Sequence, residues 1–364
     1  MIPDLATALL AGAAGGVAQE WARVAAAAAG KAWRGESEGS QEEALRNVQS
    51  LVALLARRTA EMEEIVGSQE AIRERLIGEA RNPDFSFTVQ QALLAAARTN
   101  NPARHEILAR AVVERLLAAP DSIQGVASAA AVEALGRLSA THLELLGLAA
   151  MIYYVGPRVR APLLPEGLAG ADSHDYQTRF KAEQAFMMPA VEAYVEWFIG
   201  CLLAYAGPAH SDLPVAASMD FAHLTSAGCI TYDRALKRSA TAVLTPPSAH
   251  DEINSGVSYS YHWGLEGIRL PAEVQKQWLH LWDEGLQHVT LTPSGLLIGA
   301  VVHELRCGDR VEVRWDLPLS DPFEVGGVWD GRHVNARFVD ALLPELKTRI
   351  RHERLARGDD SEWP

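Results

Sequence analysis

Three proline-marked breaks constrain this chain more than any other feature. Asn82-Pro83-Asp84, Asn100-Asn101-Pro102 and Pro120-Asp121-Ser122 each set a helix-capping residue beside a proline. A proline fits the first turn of a helix but ends one that reaches it from the N-terminal side, so each break predicts one helix stopping and another starting. Between the breaks lie FTVQQALLAAAR, ARHEILARAVVERLLAA and IQGVASAAAVEALGRL. In the second, Ile107, Leu108, Ala111, Val112, Arg115 and Leu116 recur at helical spacing. Ser139 then caps a helix in which Leu143, Leu145, Leu146, Leu148, Met151 and Ile152 are apolar nearly all round, which places it in the core. No alternating strand pattern precedes residue 200. The expected fold is mainly α: a multi-helix bundle followed by a smaller α+β, winged-helix-like C-terminal module.

The bundle is expected over residues 36–156, after a small-residue-rich N-terminal helix over 1–35. Gly35 to Gln41 (GESEGSQ) reads as a polar linker, and Ser40 with Glu43 forms a capping-box pattern. Leu45, Val48, Val52, Leu55, Thr59, Met62 and Val66 then step by threes and fours. Such a seam packs either against antiparallel helices of the same chain or against a second copy, and Thr59 weakens the second account. The N-terminal run Leu5 to Ala18 (LATALLAGAAGGVA) is shorter than the roughly 18–20 apolar residues a membrane-crossing helix needs, and Asp4 stands where a secretory signal carries a base. Gly12 and Gly16, with Gly15 beside them, form a small-residue stripe that admits close approach of another helix or contact of residues 5–18 with a membrane.

The order NPDFSFTVQQALLAAARTNN, HEILARAVVERLL and VEALGRLSATHLELLGLAAMIYYV resembles an uncharacterised family of bacterial helical proteins known only by locus labels. The resemblance extends over residues 80 to 230 and takes in FAHLTSAGCI, where His223-Leu224 and Gly228-Cys229 match a short His-Leu, Gly-Cys motif. A looser similarity is to abortive-infection alpha proteins, which pair a helical body with an LTxxG turn. The resemblance implies a helical middle and brings neither an activity nor catalytic residues. The glycine-rich N-terminus departs from the polar start expected of the first family.

Residues 157–175, rich in proline and glycine, read as a linker, and 176–364 as a helical and α+β region. This region contains two LTxxG strings, Leu224–Gly228 and Leu291–Gly295, and in each the threonine, Thr225 or Thr292, can cap a helix. The second comes after VQKQWLHLWDEGLQHV, read as a helix and a short extended piece. VSYSYHWGLEGIRL and VEVRWDLPL alternate as strands do, and residues 334–356 read as a closing helix.

Reactive signatures are sparse. His303-Glu304 lacks the second histidine of a zincin, since Cys307 stands there, and Glu192 with Glu196 lacks a Glu-x-x-His companion. His223, Thr225 and Cys229 form the one polar cluster that could begin a site, so an enzyme centred there is kept as an alternative. No cofactor or metal set is expected. Thirty-three basic against 46 acidic side chains give a net charge of −13, which repels phosphate backbones and argues against broad nucleic-acid binding. Three scattered cysteines suit a reducing cytoplasm. The preferred expectation is a non-enzymatic interaction or regulatory protein, cytoplasmic and bacterial, with a protein partner or self-association and a place in stress or phage defence. A membrane-perturbing effector, reaching the membrane on activation through its N-terminal helix, is the alternative.

Overall fold

A computed structural model describes residues 16–29, 38–61, 69–119, 121–153, 197–206, 218–235 and 272–308. The described chain is mainly helical, with one two-stranded sheet. In order the elements are α1 (Gly16–Ala29), α2 (Glu38–Glu61), α3 (Gln69–Glu79), α4 (Pro83–Ala97), α5 (Pro102–Leu117), α6 (Ile123–Leu135) and α7 (Ala140–Tyr153). After helical residues 197–205 come α8 (Ser218–Ser226), β1 (Ile230–Tyr232), α9 (Ala272–Glu284), a 3-10 turn (Leu286–His288), β2 (Val289–Leu291) and α10 (Pro293–Cys307). The expected strands at 257–270 and 311–319, the linker at 157–175 and the closing helix all lie outside the described residues.

The proline breaks work as the residue chemistry predicts. Asn82 Oδ1 accepts from the Asp84 N–H at 3.0 Å, and Asn101 Oδ1 accepts from Ala103 at 3.0 Å and Arg104 at 3.4 Å, with a proline opening each helix. Ser122 Oγ accepts from Gly125 at 3.1 Å, and Thr292 Oγ1 from Gly295 at 3.2 Å. Each bond satisfies an N–H that the first helical turn leaves without a partner. The helix expected to start at Ser40 begins earlier, at Glu38, so Ser40 lies inside α2.

The chain divides into two compact units. The first comprises Met1–Gly147, Ala216–Tyr232 and Thr290–Leu319, the second Leu148–Val215, Asp233–Val289 and Ser320–Pro364. At the centre of the first unit is α5, buried from His105 through Leu116 and packed against α2, α4, α6 and α10. α1 lies on α2, α3 and α4. Trp21 anchors it: the indole is fully buried, tilted against Phe85 at 6.2 Å, and donates its N–H to Thr59 Oγ1 at 3.0 Å. Thr59 in turn donates to the Leu55 carbonyl at 2.6 Å, so the polar position in the α2 seam is fully used.

A charged stripe running more than two turns along α5 is buried with the apolar core. Glu106 takes Arg57 at 2.8 Å and the Arg58 Nε–H at 2.6 Å, and Arg110 reaches Glu114 at 2.9 Å. Arg115, with no exposed side-chain surface, pairs with Asp84 at 2.6 Å and lies 4.0 Å from Glu79. Burial works against the charge on Arg58, but Glu106, Glu61 and Glu304 outweigh it and raise its pKa. Unpaired charges here would be strongly destabilising, which is why each has a partner.

In the second unit, Phe198 meets Trp278 edge-on at 5.9 Å, and Trp278 lies 5.8 Å from Trp282. Val274, Trp278, Leu281 and Trp282 are buried, the inward stripe of an amphipathic α9.

Candidate functional site

The residues singled out by sequence fall in three places. Of the α2 seam, Val48, Val52 and Leu55 are buried, on a helix packed against α1, α4 and α5 of the same chain, while Leu45 is half-buried and Met62 and Val66 lie outside the described residues. Gly16 is the first residue of α1, and Gly12 and Gly15 lie outside the described residues. Among the described residues no helix is long and apolar enough to cross a membrane.

The third group, His223, Thr225 and Cys229, does not converge. Thr225 is a correction to the capping expectation: it sits in the last turn of α8, and its hydroxyl donates to the Phe221 carbonyl at 2.8 Å. The LTxxG string here closes a helix, with Gly228 at φ +72° reversing the chain into β1. In the second string Thr292 caps α10 as expected. The two strings meet. Thr292 Oγ1–H and Ser294 Oγ–H donate to the Gly228 carbonyl at 2.7 and 3.0 Å, and the Thr292 N–H donates to the Cys229 carbonyl at 3.0 Å. Gly295 lies so close that a Cβ there would fall 1.8 Å from the Cys229 carbonyl oxygen. Cys229 is therefore held by its backbone, and its buried thiol has its pKa pushed up to about 11 by desolvation. A nucleophilic cysteine needs the opposite shift.

His223 belongs to a different constellation, built on the first turn of α7. Ser139 Oγ accepts from the His142 N–H at 3.2 Å, and the Ser139 N–H donates to His142 Nδ1 at 3.0 Å. This is a reciprocal capping box in which imidazole stands where glutamate or glutamine usually does. Because Nδ1 accepts, Nε2 carries the hydrogen and faces Asp220 Oδ1 at 3.1 Å. His223, one turn along α8 from Asp220, stacks on His142 with ring centroids 4.6 Å apart and planes 11° apart. Its Nε2 lies 3.0 Å from the Arg137 carbonyl, the turn just before the cap. His142 is buried and His223 exposed. Burial pushes the His142 pKa below the ordinary imidazole value, His223 pushes it the same way, and Asp220 opposes both.

Sequence reasoning named His223 and the Ser139 cap but missed His142 and Asp220. The Ser139-x-x-His142 spacing was the available signal, since only Glu or Gln at that place is ordinarily read as a capping box. Nothing local joins Asp220 to residue 142.

A family model described only by a locus-style "-like" label matches residues 37–163, less than half of the chain. Over that stretch the chain is similar to this uncharacterised family. The match starts earlier than the resemblance read from residue 80 and ends before FAHLTSAGCI. His142 therefore falls inside it, while Asp220 and His223 fall outside. No curated protein and no solved structure matches the chain.

Proposed function

We propose that this is a non-enzymatic helical protein that works by binding another protein chain, a second copy included, through the outer faces of α4 and α6. The observation that carries this reading is apolar exposure on two helices that pack together. Phe87 on α4 is 57% exposed, and Ile123 and Val126 on α6 are 53% and 61% exposed. Ile123 and Val126 are three residues apart and share one face of α6, beside the buried stripe of Ala127, Ala131 and Leu135. Covering such exposed apolar side chains favours association, releasing about 25 cal/mol per Å².

A place in bacterial stress or phage defence is supported by the abortive-infection resemblance of the LTxxG strings alone. The winged-helix-like reading of the C-terminal region is supported by the order helix, short strand, helix over 272–307.

The test is a photo-crosslinker placed at position 126 in the full chain within its native cells, with position 53 on the exposed face of α2 as control. Crosslinks to a defined protein, or to a second copy, at 126 and not at 53 are expected. Phe87→Glu with Ile123→Glu should abolish them while leaving the circular dichroism spectrum unchanged. Equal crosslinking at both positions, or none at 126 together with a monomer by sedimentation across micromolar concentrations, would overturn the reading.

A further inference from the structure

The junction between α7 and α8 contains an imidazole whose two nitrogens hold two different structures together. Nδ1 of His142 accepts from the Ser139 backbone and secures the start of α7, while Nε2 meets Asp220 of α8. His223, one turn further along the same face of α8, lies flat on the same ring and ties α8 to the Arg137 carbonyl. We propose that this arrangement is a proton-sensitive latch: neutral His142 holds the first turn of α7 against α8, and protonation of its Nδ1 in mild acid opens that contact.

Hydrogen-bond roles set the sign. Nδ1 can accept the Ser139 N–H only while it keeps its lone pair; once protonated it becomes a second donor facing a donor. The new positive charge also sits at the N-terminus of α7, the positive end of the helix dipole, and beside a second imidazole 4.6 Å away. Asp220 alone favours the charged ring, and it pulls from the α8 side, away from the cap. The charged side chains about the junction are Asp220 and His223 from α8, Arg137 with its partner Glu133 from the end of α6 and the turn after it, Arg104 from α5, which donates to the Leu138 carbonyl of the peptide that carries the Ser139 N–H, and, further along α7, Glu144 with its partner Arg306 of α10. Carboxylates and guanidinium groups ordinarily titrate outside pH 5.5–7.5, which leaves imidazole as the group type that changes charge there.

Opening frees the ring to take its ordinary pKa, about 6.5. The closed form holds His142 below that value, so the closed form is favoured at neutral pH and loses that advantage as pH falls through about 6.5 towards the depressed value. In that window the opening constant rises by up to about tenfold per pH unit for one proton taken up.

Hydrogen exchange on the full chain, with intrinsic rates corrected for pH, reads this directly. Peptides covering residues 136–143 and 218–226 should lose protection together between pH 7.5 and 5.5. His142→Gln keeps an acceptor for the Ser139 N–H and a donor for Asp220 but does not titrate, so its protection should stay flat over the same range. Asp220→Asn removes the group that favours imidazolium and should move the wild-type transition to lower pH, whereas His223→Ala removes the neighbouring ring and should move it up. Protection independent of pH in the wild type, the same loss in His142→Gln, or shifts of the opposite sign in the two α8 variants would overturn the latch. Should His142→Gln fail to fold at pH 7.5, the opposed shifts of the α8 variants decide it.

Discussion

At the scale of single residues, the two LTxxG strings show how one pattern takes two structural parts. Thr292 ends an extended segment and caps α10, whereas Thr225 comes at the end of a helix that began at Ser218 and turns its hydroxyl back into it. The strings then interlock at Gly228, Cys229 and Gly295. Gly295→Ala would force a methyl group into the Cys229 carbonyl, a backbone atom that has no rotamer to yield. The expected loss is about 3 kcal/mol or more, at the upper end of overpacking effects. Urea unfolding measures it, and a midpoint unchanged from wild type would mean that α10 does not approach the Cys229 backbone this closely. His142 illustrates the same dependence on surroundings. Its role comes from Ser139 three residues before it and from Asp220 far along the chain, and only the first could be sought locally.

At the scale of elements, the helices between residues 82 and 153 were readable because their signals are local: an asparagine or serine cap, a proline, and an apolar stripe. α5 was readable as a helix but not as the central one. Its Glu106, Arg110 and Glu114 have the spacing of a solvated face, yet partners from α2 and from α5 itself let that face be buried. α1 shows the converse. Its alanine-rich composition admits several surroundings, and Trp21 selects one of them. Trp21→Ala should destabilise the full chain by roughly 3–5 kcal/mol. Trp21→Phe, which keeps most of the apolar contact and loses the bond to Thr59, should destabilise it by about 1 kcal/mol beyond its smaller ring. Denaturant titration separates the two. Equal and negligible effects would mean that α1 contributes nothing to the first unit.

At the scale of the whole molecule, the net charge of −13 acts over the entire surface whatever the helices do. Duplex DNA should give no rise in fluorescence anisotropy at low salt, where any electrostatic attraction is strongest, and a salt-sensitive rise would reveal a basic patch that the net charge hides. The division into two units is a property of this same scale. The first unit draws in Ala216–Tyr232 and Thr290–Leu319, segments far along the chain from α1 to α6.

By itself the sequence determined that the described residues are mainly helical, where several of the helices begin, and which leucines of α7 are interior. Those properties depend on neighbours within a turn or two, and capping and periodicity report them directly. Tertiary structure alone decided that a charged stripe lies in the core, that Cys229 is clamped by its own backbone, and that His142 is shared between a cap and a carboxylate. Each of these depends on a partner tens of residues away or more, and an ion pair, a close approach or a ring stack exists only once the fold has brought both sides together.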